Sequence, residues 1–328
     1  MSSQEIETQI RNAPPLVSVS ITTYNLEKWL PRALDSVLAQ RTTFPFEIVI
    51  GDDGSQDDSV KVAQSYRERH PDVIRVLVRD KNVGIQRNTY DTLAACRGKY
   101  TAWLDADDYW TDLEKLAIQV ETLESDPTIS MCGHFTREVT VEGQINRPRV
   151  LSTLAPGRYG IDELLRHNLM TPASVMFRTG LHRQLPPWYF DLKSLSDWPL
   201  WVLATGSGDI VLLDRIMADC MLAPNSSFMS QSLVFRYQMV AQFYQHVESI
   251  VPSKWHRLVR AQKGTTFESI AYFLRQQGDF IASRKAAVKA FRSPALMDNL
   301  GSKSKALLAS VVRESQWRLR GRRAKPAQ

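Results

Sequence analysis

The sequence predicts an α/β fold with a mostly parallel sheet flanked by helices. Three observations carry that reading. Residues 16–21, 46–50 and 100–104 are short apolar runs of strand-forming composition. Each stops abruptly in a polar or acidic turn: Thr22-Thr23-Tyr24-Asn25, Gly51-Asp52-Asp53-Gly54-Ser55, and Asp105-Ala106-Asp107-Asp108. Each turn is followed by helical periodicity, so the segments read as βα units feeding one sheet. In such a sheet the strand C-termini point one way and ligands bind in the crevice beyond them. The three turns are therefore expected to converge on one edge.

The elements follow in order. A helix is expected over 26–40, with Trp29, Leu30, Ala33, Leu34, Val37 and Leu38 on one stripe facing the sheet. Pro31 falls near its first turn, where a missing N–H costs little. A second helix is expected over 57–70 and a third strand over 73–78. Residues 82–88 lead into a helix running through Cys96, with Gly98 expected to close it as a C-cap. Another helix follows at 112–125. Beyond about residue 130 the βα rhythm breaks. Residues 139–154 mix Gly, Pro and Arg and are expected to form a hairpin or long loop over the site. Residues 160–168 are helix-like and 173–177 strand-like. Asp197 stands at or just before a helix start with Pro199 in its opening, where the ordinary role of an aspartate is an N-cap. From residue 230 the pattern is helical. Residues 267–276, Gly278-Asp279-Phe280 and 282–291 read as a helical hairpin with Ala-rich contact faces, resembling half of a tetratricopeptide pair.

Length and composition describe an ordinary globular chain. Its 328 residues allow about two domains, or one large α/β domain with an appendage. No run approaches the roughly 18 uninterrupted apolar residues of a membrane span, and residues 1–8 lack the basic-then-apolar pattern of a signal peptide. Cys96, Cys132 and Cys220 match no metal-ligand spacing and are expected to be reduced and buried, which places the protein in the cytoplasm. The net charge of +6 is uneven: residues 301–328 hold eight basic residues against one acid, and the other 300 carry −1. A basic face on a folded module, the footprint of nucleic-acid binding, is thus not expected. Residues 305–320 can be drawn as a helix with Leu307, Leu308, Val311, Val312 and Leu319 on one face. The tail is either a solvated end or a peripheral anchor on an anionic membrane surface.

The acidic turn carries the chemistry. Asp105, Asp107 and Asp108 are three carboxylates within four residues. Like charges this close repel one another and gain nothing from burial unless a divalent cation sits among them. Hard oxygen ligands suit Mg²⁺ or Mn²⁺. Taken with Thr22–Asn25 and Asp52–Asp53, the turn describes a site for a polyhydroxylated, metal-chelated ligand such as a nucleotide diphosphate. Arg87, near the start of a helix that follows a strand, fits a phosphate or pyrimidine contact; a solvated helix residue is its ordinary alternative.

These residues amount to a family resemblance. Residues 17–222 resemble the family 2 glycosyltransferases of the GT-A (Rossmann-like) fold. The resemblance rests on Ser20-Ile21-Thr22-Thr23-Tyr24-Asn25, the helix ending at Gln40, and Gly51 to Asp58. It continues through Gly84, Arg87 and Asn88, then Leu104 to Trp110, and Asp197-Trp198 with Leu200-Trp201. Each piece alone is weak; in this order and spacing the combination is specific. The resemblance implies a nucleotide-sugar donor, with a UDP-sugar expected, a Mn²⁺ or Mg²⁺ cofactor, and inverting transfer to a saccharide or lipid-linked saccharide acceptor. Carried over residue by residue, Thr22 and Tyr24 would line the nucleotide pocket with Asn25 beside them. Asp53 would bond the base, Asp52 would support its turn, and Arg87 would lie against the nucleotide. Asp105 would face the ribose or sugar, Asp107 would ligate the metal, and Asp197 would deprotonate the acceptor. The implied organisation is an N-terminal extension over 1–14, a catalytic domain over 15–229, a helical region over 230–300 and the basic tail over 301–328.

The chain departs from the family at one place. Where relatives often carry Tyr-Arg-x-His, this sequence has Cys220-Met221-Leu222-Ala223. His134 or the loop 225–231 would have to supply the missing contact, or the metal is held more weakly. A catalytically weak or inactive nucleotide-sugar-binding scaffold is the alternative function. A sugar nucleotidyltransferase is disfavoured because no Gly-rich basic loop follows the first strand.

Overall fold

The computed structural model describes residues 13–150, 154–180, 185–206, 208–222 and 231–291. The chain divides into two compact units, Met1–Ser226 and Ser227–Gln328. The residues of the expected basic tail and most of the N-terminal extension lie outside the described residues.

The first unit is built on one sheet. Its leading strands are β1 (Val17–Thr23), β2 (Phe46–Asp52), β3 (Ile74–Val78) and β4 (Tyr100–Asp105). After these come β5 (Tyr109–Trp110), β6 (Ile129–Val139), β7 (Ile145–Arg147), β8 (Gly157–Tyr159), β9 (Met176–Arg178) and β10 (Asp209–Met221). Among the described residues these ten strands run in the order β3-β2-β1-β4-β9-β6-β10-β5, with β7 on β6 and β8 on β10. β1, β2, β3 and β4 are mutually parallel neighbours. β9 runs antiparallel between β4 and β6, while β6 and β10 are again parallel. The chain lays β2 and β3 on one side of β1 and β4 on the other, so the β1/β4 boundary is the topological switch point where open α/β sheets bind ligands.

β1 is buried along its whole length, as expected of a central strand covered on both faces. Its apolar residues Val17, Val19 and Ile21 meet Ile48 and Ile50 of β2, Tyr100, Ala102 and Leu104 of β4, and helix α1 (Leu30–Leu38). That helix begins four residues later than the sequence suggests, with Pro31 in its first turn and Leu30, Ala33, Leu34 and Val37 buried. Helices α2 (Ser59–Arg69), α3 (Ile85–Ala94) and α4 (Lys115–Ser125) also start inside their expected spans. Gly98 is not a C-cap. α3 closes at Ala95, and Gly98 instead lies against β1, where a Cβ would stand 2.6 Å from the Ser18 nitrogen and 2.8 Å from the Val17 carbonyl carbon.

Beyond residue 130, β6 turns back through Gly143 (φ +82°) into β7, forming the hairpin. α5 (Ile161–Arg166), a short 3₁₀ turn at Pro172–Ser174, a second at Pro187–Asp191, and α6 (Asp197–Thr205) complete the unit. Cys96 and Cys132 are buried free thiols as expected, and Cys220 is only half-buried.

The second unit is helical: α7 (Leu233–Val247), α8 (His256–Gln276) and α9 (Phe280–Phe291). Ser232 caps α7 by accepting from the Phe235 N–H at 3.2 Å. Gly278 takes φ +84°, closing α8 into the hairpin with α9. Ala241, Ile270, Ala271, Ala286 and Ala287 form its core, so the small-residue faces are contact faces. No helix among the described residues is long and apolar enough to cross a membrane.

Candidate functional site

Strand register decides what meets at the switch point. Thr22 pairs with Asp105 on one side and Gly51 on the other, and Thr23 pairs with Asp52. The three turns that end β1, β2 and β4 therefore leave the sheet at one level. Across the β1/β4 boundary, Thr22 Oγ1 donates to Asp105 Oδ1 at 3.0 Å. The indole N–H of Trp103 donates to the same oxygen at 3.0 Å. Trp103 is two residues before Asp105, hence on the same face of β4, and strand alternation was the signal in the sequence that could have marked it.

The carboxylates of this site work against one another. Burial, and then the neighbouring charges of Asp107 and Asp197, push the Asp105 carboxyl up to about 7. Burial also raises Asp107. Asp108 is pushed well above the usual range by burial and by Asp107 and Asp105. It is 8% exposed and its Oδ1 accepts the Met221 N–H at 2.9 Å. Asp108 thus ties the acidic turn to the end of β10. Asp197 opens α6, whose N-cap is Ser196. Its Oδ2 accepts from Asn168 Nδ2 at 2.8 Å. Burial raises its carboxyl despite that bond and despite the Trp198 N–H. The N-cap reading of Asp197 is corrected accordingly: it lies one residue inside the helix. The Asn168 partner, 29 residues away in sequence, left no signal there.

The turn that ends β2 is closed by its own side chains. Asp52 Oδ1 accepts from the Gly54 and Ser55 N–H groups at 3.1 and 2.9 Å, and its Oδ2 accepts from Ser55 Oγ at 2.6 Å. Gly54 sits at φ +74° with a Cβ position 2.6 Å from the Lys81 backbone, so only glycine fits. Asp53 uses both oxygens on the segment before α3, accepting from the Val83 N–H at 2.8 Å and the Gly84 N–H at 3.0 Å. Each oxygen keeps a further lone pair. Burial nonetheless raises this carboxyl. Asn25 adopts φ +55°, and stitches the β1 turn to the β2 turn. Its N–H donates to Ser55 Oγ at 2.9 Å and its Oδ1 accepts from the Gln56 N–H at 2.7 Å. The same seam continues from Leu26 N–H to Ser59 Oγ, from Glu27 N–H to Asp57 Oδ2, and from Asp58 N–H to Glu27 Oε2, at 2.8–3.0 Å. Tyr24 presents its ring with 43% exposure. Arg87 is bonded within its own helix to Asp91 at 2.9 Å. Its guanidinium carbon lies about 6 Å from the ring centroids of Tyr90 and Phe190.

His134 lies in the interior of the first unit. It is 1% exposed in β6, bonded to the Phe135 carbonyl, and driven well below its usual pKa by burial and by the charge of Lys115. Ala223 and residues 225–230 lie outside the described residues, and Met221 contributes its backbone N–H to Asp108. Among the described residues no group of three or more His, Cys, Asp or Glu side chains could hold a metal by itself. The donor set still fits a hard divalent cation. Asp107 receives no side-chain hydrogen bond among the described residues, and its charge adds to burial in raising the Asp105 carboxyl. One or two carboxylates completed by ligand phosphate oxygens is how Mg²⁺-like ions are commonly bound.

Comparison with known proteins bears on the family and the fold. An uncharacterized protein of Mycobacterium tuberculosis is 36% identical over 207 residues, 62% of this chain and 57% of the relative. Chondroitin synthase of Escherichia coli is 33% identical over 144 residues, 43% of this chain and 20% of that protein. The chain thus spans little more than half the length of its M. tuberculosis relative. Among solved structures, residues 1–349 of S. aureus TarS in complex with UDP-GlcNAc superpose with a TM-score of 0.65 at 17% identity, covering 90% of this chain and 88% of that one. The mannosyltransferase PcManGT of Pyrobaculum calidifontis, in complex with GDP-Man and Mn²⁺, superposes with a TM-score of 0.61 at 17% identity, covering 92% and 88%. These likenesses establish the GT-A fold. The sequence pattern of glycosyl transferase family 2 matches residues 18–184, which include β1 from Ser18 onward, β2, β4 and all three strand-end turns. On that match, over more than half of its residues, the chain belongs to glycosyl transferase family 2.

Proposed function

We propose that the protein is a metal-dependent, inverting glycosyltransferase. It would move a sugar from a nucleotide-diphosphate donor, a UDP-sugar, to a hydroxyl of a saccharide or lipid-linked saccharide in cell-surface polysaccharide or glycolipid assembly. The observation that carries this reading is the convergence of the three strand-end turns at the switch point, where Thr22 Oγ1 donates to Asp105 at 3.0 Å across the β1/β4 boundary; burial, and then the charges of Asp107 and Asp197, raise the Asp105 carboxyl there. One carboxylate comes from the acidic turn and the other from the start of α6, so a donor lying over the turn has a base available from another element.

Each residue then has a role. Thr22, Tyr24 and Asn25 with the Asp52–Asp53 turn cradle the nucleoside, Asp53 through its remaining lone pairs. Arg87 borders the nucleotide beside Tyr90 and Phe190. Asp105, held by Thr22 and Trp103, faces the ribose or sugar. Asp107 holds Mn²⁺ or Mg²⁺, which when bound stabilises the charge gathering on the leaving diphosphate. Asp197 takes the proton of the attacking hydroxyl as it adds to C1 from the face opposite the leaving group. Single-step inversion needs no protein nucleophile. The nucleotide-sugar complexes of TarS and PcManGT support the donor class, the Mn²⁺ of PcManGT supports the metal, and chondroitin synthase supports a polysaccharide product. A peripheral position on the cytoplasmic face of a membrane is drawn from the basic composition of residues 301–328. The test is a hydrolysis screen of UDP- and GDP-sugars with Mn²⁺. Release of nucleotide diphosphate from one donor above the rest is expected; no hydrolysis and no binding of any donor would leave the family membership without this activity.

A further inference from the structure

Asn168 is absent from the roles above, yet it makes the one side-chain to side-chain hydrogen bond to Asp197 seen among the described residues. Two features make this bond directional. The Asn168 Oδ1 accepts the Met170 N–H at 3.5 Å, which turns Nδ2 toward Asp197 Oδ2. An amide does not ionise, so it stays a donor at every working pH. Its segment is also fixed from the far side. Two residues after Met170, the 3₁₀ turn Pro172–Ser174 is tied to the interior. The indole N–H of Trp110 donates to the Ala173 carbonyl at 3.0 Å, and Gln119 Nε2 donates to the Ser174 carbonyl at 2.8 Å. Trp110 is two residues past Asp108. A short run of chain therefore connects the acidic turn, through Trp110 and the 3₁₀ turn, to the carboxylate that opens α6.

We propose that Asn168 is a positioning residue for Asp197, holding Oδ2 and with it the plane of the carboxylate that meets the acceptor hydroxyl. The proposal rests on the reading of Asp197 as the base. A carboxylate free to swing about its side-chain torsions would lose the near-attack geometry on which base catalysis depends; the bond to Asn168, beside the Trp198 N–H, fixes the plane of the group. A tie serving only to hold α6 against the preceding segment would have no reason to depend on the chemistry of Asp197, and this separates the two roles.

The experiment is a double-mutant cycle. Asn168→Leu, similar in volume and without the amide, is made in the native chain and in Asp197→Asn. Asn168→Ala serves as a second variant should Leu disturb the fold. The rate of nucleotide diphosphate release from UDP-GlcNAc and GDP-mannose, with water as acceptor, gives turnover; titration with UDP or GDP and Mn²⁺ gives nucleotide affinity. In the native chain either variant should lower turnover about 10–100-fold, the scale found when partners that orient metal ligands are removed, with nucleotide affinity within about twofold. In Asp197→Asn the same variant should lower it by less than about twofold, because the group it positions is already gone. Equal losses in both backgrounds, or a parallel fall in nucleotide affinity, overturn the assignment of Asn168 alone. Full turnover in Asp197→Asn by itself overturns the reading of the base, and the proposal with it.

Discussion

Replacing Asp105 by Asn should make the metal-free protein more stable at pH 8 while destroying its function. A carboxyl held at about 7 when folded, against an ordinary 3.8, binds its proton more tightly in the folded state than in the unfolded chain. Stability from this group is accordingly full at low pH and is lost as pH rises from about 4 to about 7. Each tenfold change in proton affinity is worth about 1.4 kcal/mol, so complete ionisation costs the fold on the order of 4 kcal/mol. Asp105 is partly exposed, and solvent screening reduces the recoverable part to about 2 kcal/mol. The amide keeps an oxygen for Thr22 Oγ1 and the Trp103 indole, so little is lost in exchange. At roughly 2–4 °C per kcal/mol for a unit of this size, Asp105→Asn should melt about 4–8 °C above the native protein at pH 8. The gap should close toward pH 4–5, where the native carboxyl is neutral as well. Calorimetric melts at the two pH values in the presence of a chelator decide the matter. A variant that melts at or below the native protein at pH 8, or a gap that does not shrink on acidification, would refute the account of Asp105 as a carboxyl raised by burial and by its neighbours' charge.

The remaining expectations concern the same residues and their scaffold. Asp107→Asn should abolish nucleotide release from the donor and leave the melting temperature unchanged or higher, and an excess of chelator should reproduce the loss in the native chain; full activity under either condition removes the metal from the scheme. Asp197→Asn should lower turnover by about 10²–10⁴-fold with nucleotide affinity retained. Because burial raises the Asp197 carboxyl, native turnover should fall as pH drops through a midpoint above the usual carboxylate range; a midpoint at or below that range contradicts the assignment. Gly98→Ala places a Cβ 2.6 Å from the Ser18 nitrogen of a central strand and should cost about 2–3 kcal/mol by overpacking, measured by denaturant unfolding. Deleting residues 301–328 should release the protein from anionic liposomes at low salt while sparing donor hydrolysis; a full chain that ignores such liposomes makes the tail a solvated end.

The parallel half of the fold was legible because its strands advertise themselves. β1, β2 and β4 are apolar runs broken by polar turns, and the consequence that the turns meet follows from parallel pairing alone. β6 and β10 were harder to see because they carry polar side chains that the interior neutralises. Arg137 binds Asp219 through two contacts at 2.6 and 2.9 Å, and Tyr109 donates to the same carboxylate at 2.6 Å, so charge in these strands does not mean exposure. Lys115 is fully buried, donating to Gln119 at 2.6 Å with its ammonium 4.0 Å from the Trp110 ring centroid. Nothing in a helical pattern marks a lysine as interior. Gly98 is hidden for a related reason: glycine after a helix looks like a cap, and only the approach of β1 shows that it is a spacing residue. At the site, three adjacent carboxylates point to a cation, but their division of labour is invisible in sequence. Asp108 turns out to hold β10, and the partner of Asp197 comes from a segment with no motif.

The seam between the first two strand-end turns has a consequence for how this edge of the sheet can be re-engineered. Asn25, Leu26 and Glu27 on one side and Ser55, Gln56, Asp57, Asp58 and Ser59 on the other exchange hydrogen bonds with segments about 30 residues away. Neither turn closes its polar groups alone. A graft from a relative that exchanged only one of them would strand backbone N–H groups of the other, each at a cost of about 1–3 kcal/mol where water cannot replace the partner. The two turns are one transplantable module in space although they are two in sequence, and substitutions in them should drift as linked sets.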